Sequence, residues 1–199
     1  MTSALSEQAE YLASIIINMS EQATNPVLLS LEDQTDFKAN TKYNLPAYHS
    51  NNFALRIFYH QHAYSGKNNK EHGHFHLFVR TDNNQNWHHL LAIVMDRQGQ
   101  PIEFNTVNQW VTDSRWVEQN NLTSLFRQLQ QQDPDNLLIS WFIAILCLYQ
   151  SEISHLIRKR DQHLSDIKES SAINDILKDR AFYTLSSVNI DLKKKLSQQ

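Results

Sequence analysis

The segment Glu71-His72-Gly73-His74-Phe75-His76-Leu77-Phe78 alternates polar and apolar residues with a period of two. An extended strand turns that pattern into two chemically different faces. His72, His74 and His76 fall on one face, and Phe75, Leu77 and Val79 on the other. The run before it behaves the same way. Phe53, Leu55, Ile57 and Tyr59 point one way, and Arg56, Phe58, His60 and His62 the other. Ser65-Gly66-Lys67-Asn68-Asn69 between them has turn composition, so the two runs predict an antiparallel hairpin. A register that opposes His60 with His74 also opposes His62 with His72, with paired Cβ atoms about 5 Å apart.

The alternation continues. Asp82-Asn83-Asn84 reads as a turn, Trp87 to Asp96 as a third strand, Arg97 to Pro101 as a further turn and Ile102 to Val107 as a fourth strand. Four strands in succession predict an antiparallel meander. Before it, Leu5, Ala9, Leu12, Ile16 and Met19 recur at helical spacing, and Asn25-Pro26 ends that helix. Residues 28–50 are polar and aperiodic and read as loop or short helix. After the meander, Leu122, Leu125, Phe126 and Leu129 mark a helix. Asp133-Pro134-Asp135 marks the start of another, with Asp133 as cap and Pro134 at the first turn. That helix carries Trp141, Phe142, Ile145 and Leu148 and ends at Arg158-Lys159-Arg160, and more helix follows to about Leu196. The fold class is α+β: one domain, 1–199, with a four-stranded antiparallel meander flanked by an N-terminal helix and several C-terminal helices.

Composition removes several function classes. The formal net charge is −3 and no long basic stretch occurs, so duplex nucleic acid is a poor partner. Three glycines are too few for a phosphate loop or a dinucleotide fingerprint. Cys147 has no partner for an intramolecular disulfide and reads as a core residue, consistent with a reducing compartment. Glu7 and Glu10 do not fit a secretory leader. The apolar run Leu137–Tyr149 contains Ser140 and falls short of the roughly 20 residues of a membrane span, so it reads as a buried helix. The expectation is a cytoplasmic protein with no membrane partner, and self-association through a sheet edge is left open.

Seven of the ten histidines lie between His60 and His89. Cationic imidazoles do not tolerate such crowding, so they stay neutral or share a ligand. The leading expectation is a metal-dependent enzyme acting on a small anionic substrate. His62, His74 and His76 are the ligands of iron, zinc or copper, and His60 or His72 serves as fourth ligand or catalytic proton shuttle. Arg56 and Arg80, further along the face, orient the anion. Strand alternation points Glu71 away. His88 and His89 point to opposite faces, so one of them joins the cluster. Trp110 and Trp116 in the region after the last strand read as core caps, and Glu152-Ile153-Ser154-His155 as a solvated helix face. A non-catalytic binding or scaffolding protein is a further reading.

His72-x-His74-x-His76 followed by Leu77-Phe78 resembles the histidine-triad motif of nucleotide hydrolases and transferases, with Gly73 in place of a hydrophobic residue. The resemblance implies His74 as the nucleophile toward a nucleotide phosphate. A longer set resembles an uncharacterised bacterial domain-of-unknown-function family: Glu71 to His76, Trp87 to Asp96, Gly99-Gln100-Pro101 and Asn108 to Thr112. It covers roughly the central and C-terminal two-thirds of the chain and implies no activity.

Overall fold

The computed structural model describes residues 2–31, 41–50, 53–61, 70–81, 86–168 and 173–198. The N-terminal helix forms as its periodicity predicts: α1 (Thr2–Glu21) buries Ala9, Leu12, Ile15 and Met19. Asn25 does more than end it. Its side chain accepts a hydrogen bond from Leu28 N at 3.0 Å and so starts a second helix, α2 (Pro26–Ser30).

The sheet has seven strands among the described residues, not four. The expected meander is β3 (Phe53–His60), β4 (Glu71–Thr81), β5 (His88–Asp96) and β6 (Pro101–Val107), preceded by β1 (Lys42–Asn44) and β2 (Tyr48–Ser50). Both short strands pair with β3, β1 along Phe58–His60 and β2 along Phe53–Leu55. They act as one edge strand interrupted at Leu45-Pro46, where proline has no N–H to give to a ladder. The polar stretch expected as loop or helix is therefore partly sheet. The seventh strand, β7 (Thr184–Asn189), was expected as helix; it pairs with β6 instead. The hydroxyls of Thr106 and Ser186 lie 2.7 Å apart between the two strands, and Ser186 Oγ also donates to Leu156 O. The turns expected at Gly66–Asn68 and Asp82–Asn84 lie outside the described residues. The turn after β5 is as expected: Asp96 Oδ1 accepts from Gln98 N and Gln100 N, and Gly99 takes φ +73°.

One face of the sheet carries Tyr59, Phe75, Ile93 and Phe104 in a row across four strands. Helices cover this face. After α3 (Gln109–Thr112) come α4 (Gln119–Gln130), α5 (Leu137–Leu148) and α6 (Gln150–Lys168), and then the short α7 (Ile173–Ile176) and α8 (Leu192–Ser197). α5 is apolar all round and buries ten of its twelve residues, and Phe142 meets Phe75 edge-on at 4.9 Å. Its cap is Asn136, whose side chain accepts from Ile139 N at 2.9 Å, not Asp133. Among the described residues no single helix is long and apolar enough to cross a membrane; α5 and α6 are bent by 77° at Tyr149.

The expected single helix thus becomes two, and Arg160 is not at a helix end. It lies 3% exposed in mid-α6, donating from Nη2 to Val117 O and from Nε to Asp161 Oδ1, with its guanidinium over Trp116 at 4.1 Å. Trp110 donates to Phe182 O. Trp116 packs on a small second core of Leu164, Ile176, Leu177 and Leu185. Trp116 thus caps this core, and Trp110 lies edge-on to Tyr183 at 5.6 Å.

Gly73 sits under the Tyr59 side chain. A Cβ there would lie 2.5 Å from the Tyr59 hydroxyl oxygen and 2.8 Å from the His60 carbonyl oxygen. The second contact is backbone in the neighbouring strand and cannot swing aside. Gly73→Ala is expected to lower stability by about 1–3 kcal/mol, the usual range for overpacking, in urea denaturation. An unchanged midpoint would contradict this packing.

Candidate functional site

The second face of the sheet carries the histidines. The β3–β4 register places His60 opposite His74 and Phe58 opposite His76, as the hairpin reading requires. Two rows follow across the sheet. One is His60, His74, Val94, Glu103 and Asn189; the next is Phe58, His76, Ala92, Asn105 and Ser187. His62, expected as a ligand, lies outside the described residues.

His72 departs from the expectation. A register shift in the β4–β5 ladder between Glu71 and Gly73 breaks the two-residue alternation. His72 turns to the helix-covered face, where its Nδ1 and the Tyr59 hydroxyl are hydrogen-bonded at 2.7 Å. Burial of its ring and the charge of Arg97 lower its pKa, against a smaller pull from Asp96. Glu71, expected to point away, turns in. Its Oε1 lies 3.0 Å from His74 Nδ1. An ionised carboxylate only accepts, so the proton belongs to Nδ1, and the opposite edge of the ring, Nε2, is the basic one. The bulge exchanges the two side chains.

A second bulge, at Leu90 of β5 opposite Leu77 and Phe78, decides between the paired histidines of β5. His89 joins the face, its Nε2 3.0 Å from His76 Nδ1. His88 lies on the other side and donates from Nδ1 to the Arg115 carbonyl. The imidazoles form one contiguous set: His60–His74 at 5.7 Å, His74–His76 at 4.7 Å and His76–His89 at 5.1 Å between ring centres. His74, His76 and His89 are 7%, 2% and 8% exposed.

This burial sets the charge state. Desolvation, followed by the neighbouring His89, His74, His60 and Lys42, holds His76 well below its ordinary range. Burial, then Arg160 and His74, lowers His89 to about 3. In the His76–His89 contact one nitrogen donates and the other accepts, which two neutral rings satisfy.

Arg56 and Arg80 share the face, as expected. The site residue that the sequence reading missed is Trp87: both guanidinium carbons lie over its ring, at 4.9 and 4.6 Å. Arg56 also lies over Phe78 at 4.8 Å. The pair is not beside His74. Arg80 is four residues along β4 from His76, about 13 Å of strand, and fully buried Phe78 stands between them.

Among the described residues no group of three or more His, Cys, Asp or Glu side chains is gathered closely enough to hold a metal ion. A groove of about 640 Å³ lies elsewhere, lined by Arg115, Trp116, Asn120 and Asp161 among others. Its lining among the described residues holds no histidine, and Asp161 there already accepts from Gln119 N and Arg160.

Fold and site together describe an antiparallel-sheet α+β protein with helices on one face and a buried imidazole row on the other. The chain belongs to the family described as Domain of unknown function (DUF6969), whose model matches residues 6–190. The expected resemblance to such a family thus extends over nearly the whole chain. No curated protein and no solved structure matches it.

The neutral pair makes stability depend on pH. Folded His76 and His89 have pKa values below the ordinary 6.5. As pH falls from about 6.5 toward 3, the unfolded chain takes up protons that the folded chain refuses. The stabilisation is therefore complete above about 6.5 and is lost across that window. Urea midpoints are expected to fall between about pH 7 and pH 5, and to fall less in His89→Phe. Equal slopes in the two proteins would contradict the assignment.

Proposed function

We propose that the protein is a small enzyme in which His74, held by Glu71, transfers a proton to or from an anionic substrate lying along the histidine face. The observation that carries this reading is the 3.0 Å contact between Glu71 Oε1 and His74 Nδ1. A carboxylate on Nδ1–H fixes the tautomer and orients the ring with the lone pair of Nε2 outward, which is what a general base needs. The surroundings suit the same task. Neutral His76 and His89 supply polar but uncharged walls, His60 stands edge-on to His74 as a proton relay, and burial strengthens the interaction of these groups with any charge that develops. Arg56 and Arg80 make the far end of the face cationic and anchor the end of the substrate remote from the reacting atoms. His72, turned away by the bulge, has no part in this reading. Nor do the three histidines of the triad-like motif act on one side of the strand.

A metal-dependent form of the reading, with iron, zinc or copper held by His62, His74 and His76, has one observation in its favour. His74 and His76 each commit Nδ1 to a neighbour, Glu71 and His89. Ligating imidazoles behave this way, donating from one nitrogen to an outer partner and binding metal with the other.

Two measurements decide. Metal content of untagged protein, by mass spectrometry, separates the forms. Near-stoichiometric metal that is lost in His74→Ala/His76→Ala selects the metal form; no metal and no uptake on reconstitution leaves proton transfer alone. A turnover screen over small phosphate and carboxylate metabolites then tests the enzyme itself. His74→Ala is expected to lower kcat about 10²–10⁴-fold, and Glu71→Gln about 10–100-fold. A substrate that both variants turn over at the wild-type rate would sink the reading.

A further inference from the structure

We propose that Arg56, Trp87 and Arg80 form an oxyanion site that takes a phosphate group, at the end of the face remote from His74. The β3–β4 register sets Arg56 opposite Phe78 and Arg80 two residues beyond it, so the two cations are diagonal neighbours on adjacent strands. Trp87, just before β5, lies against both guanidinium groups.

Two like charges held on one indole repel unless something stands between them. The ion pairs among the described residues are His74–Glu71, Arg160–Asp161 and Lys195–Glu152, and none involves Arg56 or Arg80. The Nε of each is buried and has no protein hydrogen-bond partner among the described residues. Burial and the charge of Arg80 both press Arg56 toward its neutral form. The side chains themselves are half-buried, so their N–H edges remain within reach of a ligand.

Arg160 supplies the comparison within the same chain. It too lies on a tryptophan, Trp116, but its Nε donates to Asp161 and its Nη2 to Val117 O. There the protein provides the oxyanion. At Arg56 and Arg80 it provides the two forks and the aromatic support, and among the described residues no carboxylate pairs with either. A guanidinium supported on an aromatic face spends none of its donors on the ring, so its planar fork can offer bidentate contacts to an oxyanion. Two such forks carry two positive charges. A phosphate group, dianionic and with three terminal oxygens, matches them better than a single carboxylate.

The anion site stands on its own geometry. That the phosphate is the handle of a substrate rests on the proton-transfer reading above. Phe78 and about 13 Å of strand separate Arg80 from His76, and Arg56 stands opposite Phe78, so such a substrate is elongated, with its phosphate at the non-reacting end.

The test is thermal denaturation and titration calorimetry with inorganic phosphate, using acetate and chloride at equal ionic strength as controls, near pH 7.5. Phosphate is expected to raise Tm saturably, and acetate to act more weakly. Arg56→Gln and Arg80→Gln should each weaken phosphate binding at least tenfold while melting in chloride no lower than the wild type, because each removes a like-charge neighbour. Arg80→Lys, which keeps the charge but not the fork, should also bind more weakly and guards against a folding defect in the glutamine variants. His74→Ala should bind phosphate as the wild type does. That result together with unaltered turnover in His74→Ala would keep the anion site and discard the reading of His74. Identical responses to phosphate, acetate and chloride in the wild type would overturn the site. So would a phosphate response that survives in Arg56→Gln/Arg80→Gln.

Discussion

Gly73 leaves room for the Tyr59 side chain to lie across β4, so its hydroxyl reaches His72 on the helix-covered side. Once His72 is held there, the strand can resume its alternation at His74 only through a bulge. The bulge turns Glu71 onto the other face within 3.0 Å of His74 Nδ1. One close approach between neighbouring strands thus removes an imidazole from the histidine face and delivers a carboxylate to it. A regular strand would have set three imidazoles in a line with no acid among them. The bulged strand makes a Glu–His pair, in which the tautomer of His74 is fixed by its partner.

The two ends of this face solve the problem of buried polar groups in opposite ways. The histidines shed charge: His76 and His89 stay neutral, and a neutral imidazole both donates and accepts, so a row of rings can satisfy itself. Guanidinium groups have no such option, because they neither deprotonate readily nor accept. Among the described residues Arg56 and Arg80 meet aromatic faces, where Arg160 finds Asp161 and a carbonyl. The face is therefore uncharged and self-satisfied at His76 and His89, and cationic where it meets Trp87.

Much of this was legible in the sequence, because period-two alternation in 53–60 and 71–80 carries the hairpin and the two faces of its strands. It leaves the register open, and His60 opposite His74 is one pairing it allows, the one the ladder adopts. What alternation does not carry is its own interruption. The signal for the first bulge was present, since an isolated glycine inside a strand marks a bulge or a close backbone approach, and Gly73 is both. The second bulge has no comparable mark, so the choice of His89 over His88 depends on the ladder formed with β4. β7 is short and polar between helical neighbours. The open edge of β6 makes it a strand, which is a tertiary effect. Asp133-Pro134-Asp135-Asn136 offers several capping residues in a row, and the cap falls on the last. Arg160 reads as a solvated helix end beside Arg158 and Lys159, and it is buried because Val117 and Trp116 close over it. Trp87 could not be assigned to the arginines without knowing where β5 begins.

Glu71 thus holds His74 in one tautomer on a face from which His72 has been turned away. Imidazole ¹⁵N spectra of selectively labelled protein near pH 7.5 report that tautomer, with His74 identified by its absence from His74→Gln. Neutral His74 is expected to carry its proton on Nδ1, and Glu71→Gln to move the ring toward the Nε2–H form that free imidazole side chains prefer. A wild-type His74 that already carries its proton on Nε2, with a spectrum indifferent to Glu71→Gln, would contradict it.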